Sequence, residues 1–274
     1  MLVENDGMSS RPADIPDQEQ AADMVTYEQP LSERMRTFLR LEFLAQQTNH
    51  HSLDPAPWSS RAAIASLLEI LTILGRGDIR ADAMKELERQ ASLMEMFASK
   101  PGVDRKRLDT LLDRVTQLRG RLSESGAHYA QPLKESEFLS AIKHRSAIPG
   151  GTCEFDLPDF KHWLNLPYEE RVSDFQIWFS AIKPLCDAVS QLLWMTRESS
   201  PGEPQQAQKG LFQHSIERGT PSQLLRVSLA APAAVYPEIS GSQHRFTIRF
   251  YSWSGIERRP VQCGDDVEFL LACC

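Results

Sequence analysis

The run Ile148-Pro149-Gly150-Gly151-Thr152-Cys153-Glu154-Phe155-Asp156-Leu157-Pro158 separates two kinds of sequence. Before it, apolar residues recur at helical spacing. Beyond Gln205 they recur at every second position. Pro149 cannot continue a helix and biases Ile148 toward extended backbone. Gly150 and Gly151 permit backbone angles that residues with a Cβ avoid. Cys153, Phe155 and Leu157 then alternate with Glu154 and Asp156, the signature of a half-buried strand, which Pro158 ends. The spacing therefore predicts a lone strand at 151–157 that leaves a helical body and joins a sheet built mainly by the C-terminal region.

The helical body reads clearly. Ser32 is an N-cap for a helix running to Gln47, with Met35, Phe38 and Leu39 inward and Leu41, Phe43 and Leu44 widening the apolar face. A face that broad calls for cover on more than one side, by the chain's own core or by a second subunit. His50 and His51 fall on the following loop and lack partner ligands at metal-site spacing. Ile64, Leu67, Leu68, Leu71 and Leu74 mark a second helix that Gly75 and Gly77 stop. Asp78 caps a third and Asp104 a fourth, whose stripe runs from Leu108 to Leu122. A weaker helix covers 136–143. After the pivot come a short helix at 159–165 and a long one at 173–197. In the long one Trp178, Ile182, Leu185, Val189 and Leu192 form a seam and Pro184 predicts a kink. Residues 199–206, with two prolines and a glycine, read as a linker.

Leu225, Val227 and Leu229, then Phe246, Ile248 and Phe250, then Val267, Phe269 and Leu271 alternate with more polar neighbours. Turn signals at Pro221-Ser222, Ser240-Gly241-Ser242 and Gly264-Asp265 separate these runs. The fold class that follows is α+β: mainly a helical bundle with a smaller, mostly antiparallel β-sheet domain. Residues 26–150 and 158–198 belong to the helical part, 151–157 and 207–274 to the β part. Residues 1–25, short of large apolar side chains, read as a disordered acidic tail. Met24 is an alternative start of translation.

Charge and composition narrow the function. The net charge is −7, of which residues 1–23 hold −5 (six acids against Arg11), leaving −2 on the rest. Such a body has no general footprint for a nucleic-acid backbone. No apolar run of about 18 residues is present, so no membrane span is expected. The N-terminus lacks a secretory pattern, and five cysteines without CxxC spacing suit a reducing cytoplasm. No phosphate-cradling loop, GxSxG elbow or HExxH helix occurs, and neither a metal nor a cofactor is expected. One geometric feature stands out. Arg245 and Arg249, four apart on a strand, project from one face, with Thr247 between them and Tyr251 beside, while Phe246, Ile248 and Phe250 take the other. Two guanidiniums so placed suit an extended acidic and apolar peptide. From the residues alone a solvated sheet face is the simpler reading.

A resemblance tips that balance. IPGGTCEFDLP, PLSERMRTFLRLEFLAQQ (30–47), GRGDIRADAMKELERQ (75–90), PGVD (101–104), YPEISGSQHRFTIRF (236–250) and the closing Phe269-Leu270-Leu271-Ala272-Cys273-Cys274 resemble, in order, runs of the ZapD family, FtsZ-associated cell division proteins of Gram-negative bacteria. The resemblance implies a non-enzymatic protein, cytoplasmic and recruited to midcell, that binds the C-terminal tail of FtsZ. It implies a homodimer that cross-links and bundles FtsZ filaments to stabilise the Z ring, with no small-molecule substrate, nucleic acid or membrane partner. Basic positions of the family's tail site match Arg40, Arg76, Arg245 and Arg249. Glu137 stands where the family can carry an arginine, and Lys161 where it carries a histidine. The rival class is an enzyme with an unrecognised site in the cleft between helices and sheet.

The tail reading has a direct consequence. Deleting residues 1–23 removes charge but no predicted core contact, so thermal unfolding should shift by no more than a degree or so. A large fall in melting temperature would show that the segment docks on the body.

Overall fold

The computed structural model describes residues 23–124, 126, 129–216, 222–242 and 244–274. Nearly all of the expected disordered tail (1–22) and Pro221 of one expected turn lie outside them. Helices α1 (Glu33–Ser52), α2 (Pro57–Leu74), α3 (Ile79–Ala98) and α4 (Arg105–Glu124) open the helical body. The caps are those that the sequence predicts. Ser32 accepts from the Met35 N–H at 3.2 Å, Asp78 from Ala81 at 3.0 Å and Asp104 from Arg107 at 3.1 Å. Each satisfies a donor left open at a helix start. Then follow α5 (Gln131–Lys134), α6 (Glu137–Ser146), α7 (Pro158–Leu164), α8 (Tyr168–Ser180) and α9 (Lys183–Glu198).

Helix α9 is the centre of this body. It packs on α1, α3 and α4, and Leu185, Ala188, Val189 and Leu193 are fully buried. Two expectations change here. The long helix at 173–197 is two helices, α8 and α9, because Pro184 occupies the first turn of a new helix, where its missing N–H costs nothing. The predicted seam is then covered by the chain's own core: Ile182, Leu185, Val189 and Leu192 all face inward. His50 and His51 lie in the last turn of α1 rather than on a loop.

The pivot run is not a strand. The N–H groups of Cys153, Asp156 and Leu157 bond to the carbonyls of Gly150 and Cys153, so the segment coils into successive turns and has no ladder to offer a sheet. Phe155 is exposed and Leu157 buried, so the apolar residues of the run do not share one face as a strand would require. The glycines serve the turn directly. Gly150 has φ +72°, and a Cβ on Gly151 would sit 2.4 Å from the Arg145 carbonyl oxygen.

The β region comprises β1 (Met24–Pro30), β2 (Glu203–Ala207), β3 (Leu211–Ser215), β4 (Leu224–Ala230), β5 (Val235–Gly241), β6 (Arg245–Ser252), β7 (Val261–Gln262) and β8 (Val267–Cys273). One sheet has the order β1-β4-β8-β2. The second has β3-β6-β5, with β7 also pairing β6. All pairings are antiparallel among the described residues. Two of these strands replace other expectations. β1 brings residues 24–30, read as tail and helical body, into register with β4. β2 takes up residues 203–206 of the expected linker and is an edge strand, where Pro204 forfeits no needed bond. The two sheets face each other across a second core of Leu225, Val227, Phe246, Ile248, Phe250 and Phe269. Phe269 meets Phe250 and Phe212 with ring centroids 5.1 and 5.3 Å away.

A charged junction joins this sandwich to the helices. Arg197 of α9 donates to both carboxylate oxygens of Glu28 on β1, at 2.8 Å each, and to those of Glu42 on α1 at 2.9 and 2.7 Å. Arg226 of β4 donates to the Arg197 carbonyl at 3.1 Å and lies 3.4 Å from Glu28. Removing the central cation leaves two mostly buried carboxylates facing each other. Arg197→Met should therefore destabilise the fold by about 2–3 kcal/mol, toward the low end for a broken buried pair because some solvent reaches it. That corresponds to a melting temperature roughly 5–10 °C lower. A shift within 1 °C by calorimetry would mean that the junction contributes nothing to stability.

Candidate functional site

Strand β6 lies between β3 and β5, and its alternation sorts the side chains as the sequence predicts. Phe246, Ile248 and Phe250 are buried between the sheets, while Arg245 and Arg249 are exposed on the outer face with Thr247 half-buried between them. The register sets their neighbours. Ser215 of β3 pairs with Arg245, and Arg249 stands between Leu211 of β3 and Glu238 of β5. Directly opposed residues share a face and come within about 5 Å. Even so, no ion pair joins Glu238 to Arg249 among the described residues.

Arg40 and Arg76 meet elsewhere. Arg40 is exposed on α1, and Arg76 sits in the turn between Gly75, which ends α2, and Asp78, which starts α3. Both line a groove of about 230 Å³ with Glu33, Arg34, Thr37, Ile73 and Asp82 among its walls. Three guanidiniums thus face two carboxylates, and Arg34 is already held by Glu86 at 3.0 Å. The lining contains no residue of the sheets. The four sequence-predicted arginines therefore form two pairs, one on the helical body and one on the outer sheet face.

Their common property is electrostatic. Most described arginines are engaged: Arg119 with Glu88, Arg197 with Glu28 and Glu42, Arg80 with the carbonyls that end α4, Arg171 with Pro55 and Ser60. The guanidiniums of Arg40, Arg76, Arg245 and Arg249 make no hydrogen bond or ion pair with any described residue, a property shared by those of Arg105, Arg114, Arg258 and Arg259. A planar guanidinium without a partner is an open bidentate donor for a carboxylate.

The side of the molecule that carries the family departures is different. Lys161 is bound to Glu154, Arg145 to Asp156, and Arg61 to the carbonyl and hydroxyl of Thr152. Glu137 lies exposed in the first turn of α6. Arg61 and Lys161 line a cavity of about 480 Å³ beside Trp58, where Lys161 is charge-paired with Glu154 and Arg61 is held by the neutral Thr152. Two of the thiols are poor nucleophiles. Burial pushes Cys186 up to about 12 and Cys274 up to about 11, so both are protonated near neutrality.

The sequence left one feature of the outer face unread. Tyr236 of β5 pairs with Tyr251 of β6, and their rings stack with centroids 6.0 Å apart. The turn signal at Ser240-Gly241-Ser242 fixes the hairpin register and would have located this pair.

Comparison with known proteins places the chain. A sequence description of the ZapD family, a cell division protein, matches residues 39–249. A cell division protein ZapD of Methylococcus capsulatus (strain Bath) is 36% identical over 250 residues, covering 91% of this chain and 98% of its own. That of Photobacterium profundum is 37% identical over 248 residues, with 90% and 98% covered. That of Escherichia coli O1:K1 / APEC is 34% identical over 252 residues, with 91% and 98% covered. The chain belongs to the ZapD family of cell division proteins.

Proposed function

We propose that this chain binds the C-terminal tail of FtsZ through Arg40, Arg76, Arg245 and Arg249 and, as a homodimer, cross-links and bundles FtsZ filaments in the cytoplasm at midcell. The observation that carries the reading is that these four guanidiniums lack partners among the described residues, in a protein that pairs most of its arginines. An acidic tail supplies the missing carboxylates. Each charge-assisted contact contributes about 1.5–3 kcal/mol where water is partly excluded.

Bridging needs two equivalent sites, which a two-fold dimer supplies. The seam on α9 is internal and gives no support to a dimer. Support comes instead from side chains the fold leaves uncovered: Leu53 just after α1, Trp58 in the first turn of α2, and Phe155 in the pivot run are 76%, 78% and 86% exposed. Apolar surface of this kind is material for a subunit contact.

Replacing Arg245 or Arg249 with Glu sets like charge against the ligand and leaves the buried face of β6 untouched. Stability should move by no more than about 0.5 kcal/mol. Affinity for the FtsZ tail peptide, measured by titration, should fall roughly 10–100-fold, and co-sedimentation with FtsZ filaments should fall with it. Arg249→Lys keeps the charge without the fork and should give a partial loss. Undiminished affinity in both Glu variants would place the site elsewhere. Light scattering at micromolar concentration should return the mass of a dimer; a monomer that still binds the peptide would remove the bridging mechanism.

A further inference from the structure

The outer face of β6 does not end at its arginines. The Trp253 N–H donates to the Ala234 carbonyl at 3.2 Å, so pairing with β5 runs one residue past the strand. Alternation then puts Arg245, Thr247, Arg249, Tyr251 and Trp253 on one side of the sheet. At the far end Tyr251 lies between its stacked partner Tyr236 and Gln262 of β7, and Trp253 is 61% exposed. The face therefore has a cationic half and an aromatic half, with about 7 Å from Arg249 to Tyr251 along the strand.

We infer that the Tyr236, Tyr251 and Trp253 surface is an apolar subsite continuous with the arginine row, and that it takes an apolar side chain of a peptide whose carboxylates lie on Arg245 and Arg249. This rests on the proposed tail-binding reading and deepens it. Exposed aromatic residues scattered singly are ordinary. Here they abut two unpaired guanidiniums on one strand, and that charge names the occupant: an extended segment with an acidic residue followed or preceded at two positions by an apolar one. Glu238 adds a polarity across the sheet. It flanks Arg249 on the β5 side, whereas β3 presents Leu211, Gln213 and Ser215. Ligand carboxylates are thereby directed toward β3, and Glu238 is a specificity residue that weakens acidic ligands approaching from β5.

The test titrates the FtsZ C-terminal tail peptide into full-length variants of confirmed fold, each with its mass measured by light scattering, at low and at moderate salt. Trp253→Ala and Tyr251→Ala should each lower affinity about tenfold, as for other aromatic anchors, with the salt dependence unchanged. Glu238→Gln should raise affinity a few-fold, chiefly at low salt. Tail peptides with one apolar residue at a time replaced by serine should include one for which Trp253→Ala causes no further loss. Should Tyr251→Ala fail to fold, Trp253→Ala, beyond the strand end, carries the test alone. Wild-type affinity in the aromatic variants, with binding lost in Arg245→Glu and Arg249→Glu, would overturn the subsite and leave the tail-binding reading intact. Wild-type affinity in all of them would overturn both. A changed dimer mass in Trp253→Ala with unchanged peptide affinity would assign the aromatic surface to subunit contact and overturn the subsite.

Discussion

The structure depends on one cation. Arg197 lies at the end of the most buried helix and holds Glu28 of β1 and Glu42 of α1 at once, with Arg226 of β4 beside it. Its hydrogen bonds to Glu28 and then to Glu42 raise its pKa above the ordinary arginine value, so its charge is permanent. Hydrophobic burial divides between two apolar clusters, and Leu224 of β4 is the buried strand side chain that belongs to the helical one. Apolar contact is also non-directional. A bidentate ion-pair network is directional, and it selects one docking of sandwich on bundle. Desolvating these charges offsets much of their attraction, so the junction adds more to geometry than to net stability.

That geometry decides which faces remain available. The β1-β4-β8-β2 sheet uses one face on the second sheet and, through Arg226 and Leu224, meets the helices with the other. The β3-β6-β5 sheet has its inner face covered and its outer face open. Because the strand period is two, the burial of Phe246, Ile248 and Phe250 obliges Arg245 and Arg249 to point outward. A slip of one residue would bury both guanidiniums, a cost large enough to pin the register. The same packing that stabilises the sandwich thus displays the arginines.

How much of this could be read beforehand follows from where each signal is local. Helix starts were legible at Ser32, Asp78 and Asp104 because a cap is a contact between neighbours in sequence. The two faces of β6 were legible for the same reason. The pivot run misled because three alternating residues fit a strand and a series of turns equally well, and only the local hydrogen bonds distinguish them. β1 was hidden because its partner β4 lies some two hundred residues away, and nothing in Met24–Pro30 names it. The pairing of Arg40 with Arg76 depends on how α1 packs against the turn after α2, which no spacing encodes. The α9 seam was visible as a pattern, but whether a partner helix or the chain's own core covers it is a tertiary fact.

The family departures fit this distribution of charge. Lys161 is tied to Glu154 on the wall of the cavity beside Trp58, so one of the two cations there is already neutralised. An anionic ligand at Lys161 would first have to displace that pair, and the exchange would gain little. The unpaired arginines of β6 and of the α1 groove require no such exchange. In a proposed cross-linker this matters because each contact need only be modest. A few charge-assisted hydrogen bonds, less the ordering of a flexible tail, leave a weak single site. Two sites on one dimer facing a polymer of repeated tails raise the effective affinity by roughly 10²–10⁴ without any new contact. Weak, salt-sensitive, surface-exposed arginines are therefore suited to a bundle that must both hold and release.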